Sequence, residues 1–179
     1  MKKSKDQHQV FLRTHRVFNT DELERCCSVS GYHARNLLSK LMREHKIRKL
    51  RNRLYSVLPA GANQDFMPPG LLVAAKLTPD AVLGYRSALA FYGMSRNVHN
   101  THTFLSRHRV KPLRDGHSLY QPCLPAKQLK GNESIAVEEL TAWDTPIRVV
   151  SKERLLVDLL DRLGVKYYLG GSVASSVLD

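Results

Sequence analysis

The stretch SVSGYHARNLLSKLMREHKIRKLRNRLYSV, residues 28–57, decides the fold. Ser28-Val29-Ser30-Gly31 is a break made of turn formers. From Gly31 or Tyr32 to His45, Ala34, Leu37, Leu38 and Leu41 recur at i, i+3, i+4, i+7, which predicts a helix with one buried stripe. Tyr32, His33, Arg35, Asn36, Ser39, Lys40 and Arg43 fall off that stripe and are expected to face out. Ile47 to Val57 then predicts two short strands around a tight Arg51-Asn52-Arg53 turn, with Leu50, Leu54 and Tyr55 covering the helices and the arginines outward.

Upstream, Val10, Phe11, Thr14 and Val17 carry a helical period, and residues 1–7 are polar and expected to fray. Thr20 reads as the N-cap of a second helix running to about Cys27, with Asp21 and Glu22 in its first turn where the helix dipole favours them. The order helix, helix, turn, helix, hairpin is that of a winged helix-turn-helix, here residues 1–58. Residues 59–69 read as a linker and 70–179 as a mixed α/β domain, giving an α+β chain overall.

In that second domain a helix is expected over 71–77, an extended piece over 81–85, and a helix from Ser87 to Tyr92 ended by Gly93. Strands are expected at 101–106, 118–120, 134–138 and 147–150. Ser151 is expected to cap an amphipathic helix with Leu155, Leu156, Leu159, Leu160 and Leu163 inside and Asp158 and Asp161 on its solvated side. Leu156→Asp is then expected to unfold the domain. Gly170-Gly171 reads as a stop to regular structure near the C-terminal end.

Charge points to the partner. Fourteen of the 28 Lys and Arg but only five of the 16 Asp and Glu lie in residues 1–60, leaving +9 there against +3 over the rest. A polyanion should therefore meet the N-terminal third, and a fragment ending near Asn63 is expected to hold duplex DNA by itself. Arg35 and Asn36 have the side chains suited to bidentate reading of guanine and adenine. Ser30, Tyr32, His33, Lys40 and Arg43, with Arg48, Lys49, Arg51, Asn52 and Arg53 on the hairpin, are expected at phosphates, where contacts position without specifying. The competing readings of the same residues are a solvated basic face, a winged helix used as a scaffold for protein contact, and an RNA-binding winged helix.

No apolar run approaches the roughly 18 residues that span a bilayer. No signal-peptide pattern opens the chain, and Cys26, Cys27 and Cys123 suit a reducing cytoplasm. No catalytic residue, metal site or cofactor is expected. His99-x-x-His102, with His108 and His117, lacks a supporting cysteine pair, and Ser87 and Ser151 lack the nucleophile-elbow context. No phosphate-binding glycine loop is present, and Glu138-Glu139 reads as a surface acidic pair. Tyr85, Arg86, Ser87, Arg148, Lys152 and Arg154 lie near predicted element ends and form a candidate ligand or partner surface, with ordinary capping and surface charge as the competing reading.

Three phrases carry a resemblance: VFNTDEL (17–23) leading into residues 28–57, LTPDAVLGYRSALAFYGM (77–94), and RVVSKERLLVDLLDR (148–162). In order and spacing, over roughly residues 8–163, they resemble the AbiEi-type antitoxins of type IV toxin–antitoxin systems. The resemblance implies a cytoplasmic repressor that binds inverted repeats upstream of its own operon; the chain is expected on DNA as a monomer or weak dimer. It also implies a second domain that counteracts a nucleotidyltransferase-like toxin without a stable complex. This chain departs from the family in two places. Its wing turn has Asn52 where the family often has glycine, which Asn can replace in the left-handed region. The chain is also expected to be truncated, or to carry a fusion scar, since GVKYYLGGSVASSV (164–177) resembles the opening of a nucleotidyltransferase fold. The carboxylates of that fold are absent, so no transferase activity is assigned.

Overall fold

A computed structural model describes residues 2–62, 65–95, 99–125, 129 and 132–161. The expectations for Leu163, for Gly170-Gly171 and for residues 164–177 lie outside the described residues. Within them the chain is α+β, with six helices and two sheets. None of those helices is long and apolar enough to cross a membrane.

Helix α1 (Lys2–Thr14) is followed by β1 (Val17–Asn19), α2 (Thr20–Cys27), α3 (Gly31–Arg43) and the hairpin β2 (Ile47–Arg51) and β3 (Leu54–Val57). Two sequence expectations shift here. Residues 2–7 belong to α1, and Val17 is a strand residue rather than the last of a helical stripe. Asn19, not Thr20, caps α2: its Oδ1 accepts from Glu22 N (2.9 Å) while Glu22 Oε2 accepts from Asn19 N (2.8 Å), a reciprocal capping box. Ser28 ends α2 in the left-handed region at φ 52°.

The three strands form an antiparallel sheet ordered β1-β3-β2. Because a strand alternates its side chains, this sheet has two working faces. Phe18, Ile47 and Tyr55 join Phe11, Leu23, Cys27, Ala34, Leu38 and Leu41 in one core, with Leu37 at its margin. Val17 and Leu54 turn the other way, into a second core, with Leu50 packed against it. Of the residues expected to cover the helices, only Tyr55 does so. The sheet is shared between the two halves of the chain, and a fragment ending near residue 63 would bare Val17, Leu50 and Leu54.

Residues 58–69 carry no helix or strand where they are described. Then come α4 (Gly70–Lys76), β4 (Val82–Leu83), α5 (Tyr85–Phe91), β5 (Thr101–Leu105), β6 (Leu113–Asp115), β7 (Ser118–Cys123), β8 (Val137–Ala142), β9 (Thr145–Val150) and α6 (Lys152–Asp161). They build a mixed sheet ordered β6-β7-β5-β4-β9-β8, parallel at β5–β7 and β4–β9. Strand β6 lies outside the expected strands; Gly116-His117 makes its turn into β7, with Gly116 at φ 56°. Strand β8 starts three residues later than expected and turns into β9 through Trp143 and Asp144, at φ 51° and 59°. That turn needs two left-handed residues, and neither is a glycine or an asparagine.

Helix α4 sits close on the sheet because Gly70 has no side chain: a Cβ there would overlap the His102 ring. His102 in turn stacks on Tyr120, centroids 5.3 Å apart. Burial holds its imidazole below the ordinary pKa, so the unfolded chain takes the proton first as pH falls. Stability is therefore expected to be whole above about pH 6.5 and to decline below it. His8, His15 and His99 are also lowered, each first by burial, and share the slope. Urea melts across this range should show a shallower decline for His102→Gln than for the parent; parallel curves would remove His102 from the cause.

On helix α6 the expectation holds for Leu155, which is buried, and for Leu159, which packs against the second core, but not for Leu156, Leu160 and Asp158. Ser151, Arg154, Leu155 and Asp158 are buried, whereas Leu156, Val157 and Leu160 are exposed. Asp158 is thus not on a solvated face, Leu156 is not a core residue, and Arg154 is not a surface residue.

Candidate nucleic-acid interface

Helix α3 turns roughly 100° per residue, so its buried Ala34, Leu38 and Leu41 set an opposite, outward ridge of Tyr32, Asn36, Ser39 and Arg43. Arg35 lies on one shoulder of that ridge, His33 and Lys40 on the other. All seven are exposed. The start of the ridge is organised locally: Ser30 Oγ and His33 Nδ1 lie 2.8 Å apart, the Tyr32 and His33 rings meet edge to face, and Arg35 Nε donates to Gly31 O (3.1 Å). The Arg35 terminal guanidinium nitrogens make no hydrogen bond or ion pair with a described residue. Asn36 and Arg43 make no side-chain hydrogen bond or ion pair with a described residue.

The structure brings acids to several of the expected cations, which the local sequence hides. Arg48 donates through Nη2 to Asp115 Oδ2 (2.7 Å) and through Nη1 to Oδ1 (3.1 Å), and both side chains are mostly covered. It shares the face of β2 with Leu50 and points at the second sheet, so its expected phosphate role is corrected to a structural one. Arg53 pairs with Asp21 of α2 and remains half exposed. Its φ of 65° also makes it, rather than Asn52, the left-handed residue of the hairpin turn. Lys40 stands 3.8 Å and Lys46 2.7 Å from Glu44. The Lys46 hydrogen bond holds the Glu44 carboxyl below its ordinary value.

The cations left to a ligand are therefore Arg35 and Arg43 on α3 and Lys49 on the hairpin, with exposed Asn52 at its tip. Arg51 is half-buried, with Nη1 covered and without a hydrogen-bond partner among the described residues.

Of the second set of expected cations, Arg148 and Arg154 line one cleft, and Arg86 and Lys152 do not. Arg154 is buried. Arg148 Nη2 donates to Pro79 O (2.8 Å). Lys152 stands over the Tyr92 ring, 5.4 Å from its centroid, and Arg86 is half-buried near His99. The Tyr92 hydroxyl shares its proton between Val150 O (2.9 Å) and Glu138 (3.1 Å), and burial and that carboxylate push it up to about 12.

Ser87 and Ser151 have structural partners. Ser87 Oγ accepts from Thr103 N (2.7 Å), and Thr103 Oγ1 donates to Gly84 O (2.7 Å), locking α5 to β5. Ser151 Oγ accepts from Arg154 N (3.3 Å) at the start of α6. Cys26 is exposed and Cys27 buried, so the neighbouring thiols point apart. Among the described residues no group of three or more His, Cys, Asp or Glu side chains converges to hold a metal ion. Compared with models of known families and with curated proteins, the chain matches none.

Proposed function

We propose that residues 1–58 form a winged helix that binds duplex DNA, with α3 in the major groove and the β2–β3 hairpin against flanking phosphates. One observation carries this reading. The face of α3 opposite its core presents Arg35, Asn36 and Arg43 together, exposed, on the part of the chain that holds +9 of its net charge. A major groove admits such a helix, and Arg and Asn are the side chains that read base edges two bonds at a time. With the resemblance of residues 8–163 to AbiEi-type antitoxins, the role is transcriptional repression of its own operon and opposition to a nucleotidyltransferase-like toxin. No catalysis is assigned to the chain itself.

The surviving cations sort into two classes of mutant. Arg43→Ala and Lys49→Ala should weaken binding to every duplex and lower the salt slope by about one per lost phosphate contact. Arg35→Ala and Asn36→Ala should instead erode discrimination between operator and random DNA by roughly 1–3 kcal/mol. Arg48→Ala should leave the salt slope alone and act through stability. Mobility shifts over a salt series, on the DNA upstream of the gene and on a scrambled duplex, separate these. Equal losses on both DNAs for all five variants would defeat groove reading.

A protein-contact module is the second reading, and one observation favours it: α6 turns Leu156, Val157 and Leu160 outward. Weak heparin retention and no mobility shift at moderate salt would select it over the first.

A further inference from the structure

A row of cross-strand neighbours, Leu105, Val82, Arg148 and Glu139, crosses β5, β4, β9 and β8 on one face of the large sheet. Above it the chain after β5, the turn before β8 and the first turn of α6 enclose a cleft of about 370 Å³. Arg154 lines it and is only 5% exposed. Arginine has five N–H donors in a fixed plane. Here Nη1 donates to Glu133 O (2.5 Å) and Ile135 O (2.6 Å), and Nε faces Asp158 Oδ2 at 3.4 Å. Nη2 is buried and has no hydrogen-bond partner among the described residues. A buried donor left unsatisfied is costly, and this one is held in place by the bonds its neighbours make.

Two further guanidinium groups stand at the rim. Arg148 is steadied by Pro79 O, and Arg107 lies 3.8 Å from Glu133. We propose that this cleft binds a small oxyanion, the carboxylate or phosphate group of a low-charge metabolite, with Arg154 in its wall and Arg107 and Arg148 around it.

The acidic wall limits the ligand's charge. Burial alone would raise the Asp80 carboxyl, but hydrogen bonds from the Arg107 amide and the Ser106 hydroxyl, both 2.8 Å, hold it below its ordinary value. Asp80 is thus a scaffold that sets the chain after β5. Glu133 and Glu139 also line the cleft and repel a polyphosphate or a nucleic-acid backbone, so this site is chemically unlike the basic face of α3.

The test is calorimetric titration of the full chain with inorganic phosphate and, separately, with succinate, at ionic strength held constant by sodium chloride. The variants are R107Q, R148Q and R43Q/K49Q, the last because α3 and the hairpin could also take up phosphate. The proposal expects saturable binding of at least one of the two, weakened about tenfold or more in R107Q and R148Q and retained in R43Q/K49Q. Binding of only one of the two assigns the oxyanion. No saturable binding of either, parental affinity in the rim variants, or equal loss in both sets overturns it.

Discussion

Asp158→Ala is expected to lower the unfolding free energy by about 3–5 kcal/mol, because it leaves the Arg154 guanidinium charged and without its counterion inside the protein. Asp158 is 1% exposed, and its Oδ2 lies 3.4 Å from Arg154 Nε, one helical turn away on α6. A loss of that size is a large fraction of the stability of a domain. It should also loosen the approach to β8, since Arg154 holds the carbonyls of Glu133 and Ile135. Arg154→Met with Asp158→Leu removes both charges and should recover most of the loss, as buried pairs replaced by apolar groups commonly do. By contrast Leu156→Asp, on the exposed side of the same helix, should change stability by no more than about 0.5 kcal/mol. Urea melts of the four proteins decide the matter. A melt of Asp158→Ala that overlays that of Leu156→Asp would mean that the pair does not hold α6 down.

The second large effect sits where the two halves meet. Glu22 does two jobs: Oε2 closes the capping box of α2, and Oε1 accepts from Lys76 Nζ of α4 at 2.6 Å. Both side chains are largely covered, at 10% exposure for Lys76 and 14% for Glu22. Glu22→Ala loses the carboxylate half of the capping box, while Asn19 Oδ1 still accepts from the backbone amide, and it strands the ammonium, so a destabilisation of about 2–4 kcal/mol is expected. Lys76→Met keeps the cap and should cost less. Because α2 braces α3, duplex affinity should fall further for Glu22→Ala than for Lys76→Met, measured where both remain folded by circular dichroism. If Lys76→Met proves as harmful as Glu22→Ala, the ion pair alone matters and the cap does not.

These sites show which parts of the molecule local sequence encodes. The stripe of Ala34, Leu38 and Leu41 and the Ser28–Gly31 break are properties of a few consecutive residues, and they place α3 and its outward side chains without reference to anything distant. The α2 cap was legible to within one residue, since Asn19 and Thr20 are both capping types and only the Glu22 bond chooses between them. Strand β1 has no sequence signal because three residues carry no period, and the tight turn joining β8 to β9 has none because Trp143-Asp144 is not a recognised turn pair.

The fate of the cations was a different matter. The alternation Ile47-Arg48-Lys49-Leu50 already says that Arg48 and Leu50 share a face, but not what that face meets. Its partner, Asp115, is 67 residues away. The hairpin has no acid of its own, yet Asp21 and Asp115 reach Arg53 and Arg48 through space.

By itself the sequence determined the α+β class, the order of the N-terminal helices and hairpin, the excess of charge on residues 1–60 and the exposed polar face of α3. All of these rest on short-range periodicity, turn chemistry and counting. Only the tertiary structure decided which cations stay free, that Val17, Leu50 and Leu54 belong to a core shared with the second half, and that α6 buries Arg154 and Asp158 while exposing Leu156 and Leu160. The reason is physical. An amphipathic pattern gives a helix one preferred face from its own residues, but the leucines of α6 span an arc of about 140° and only its Leu155–Leu159 edge is covered. The choice then falls to what the neighbouring elements offer: here the carbonyls of Glu133 and Ile135, which draw in a guanidinium and, with it, its carboxylate.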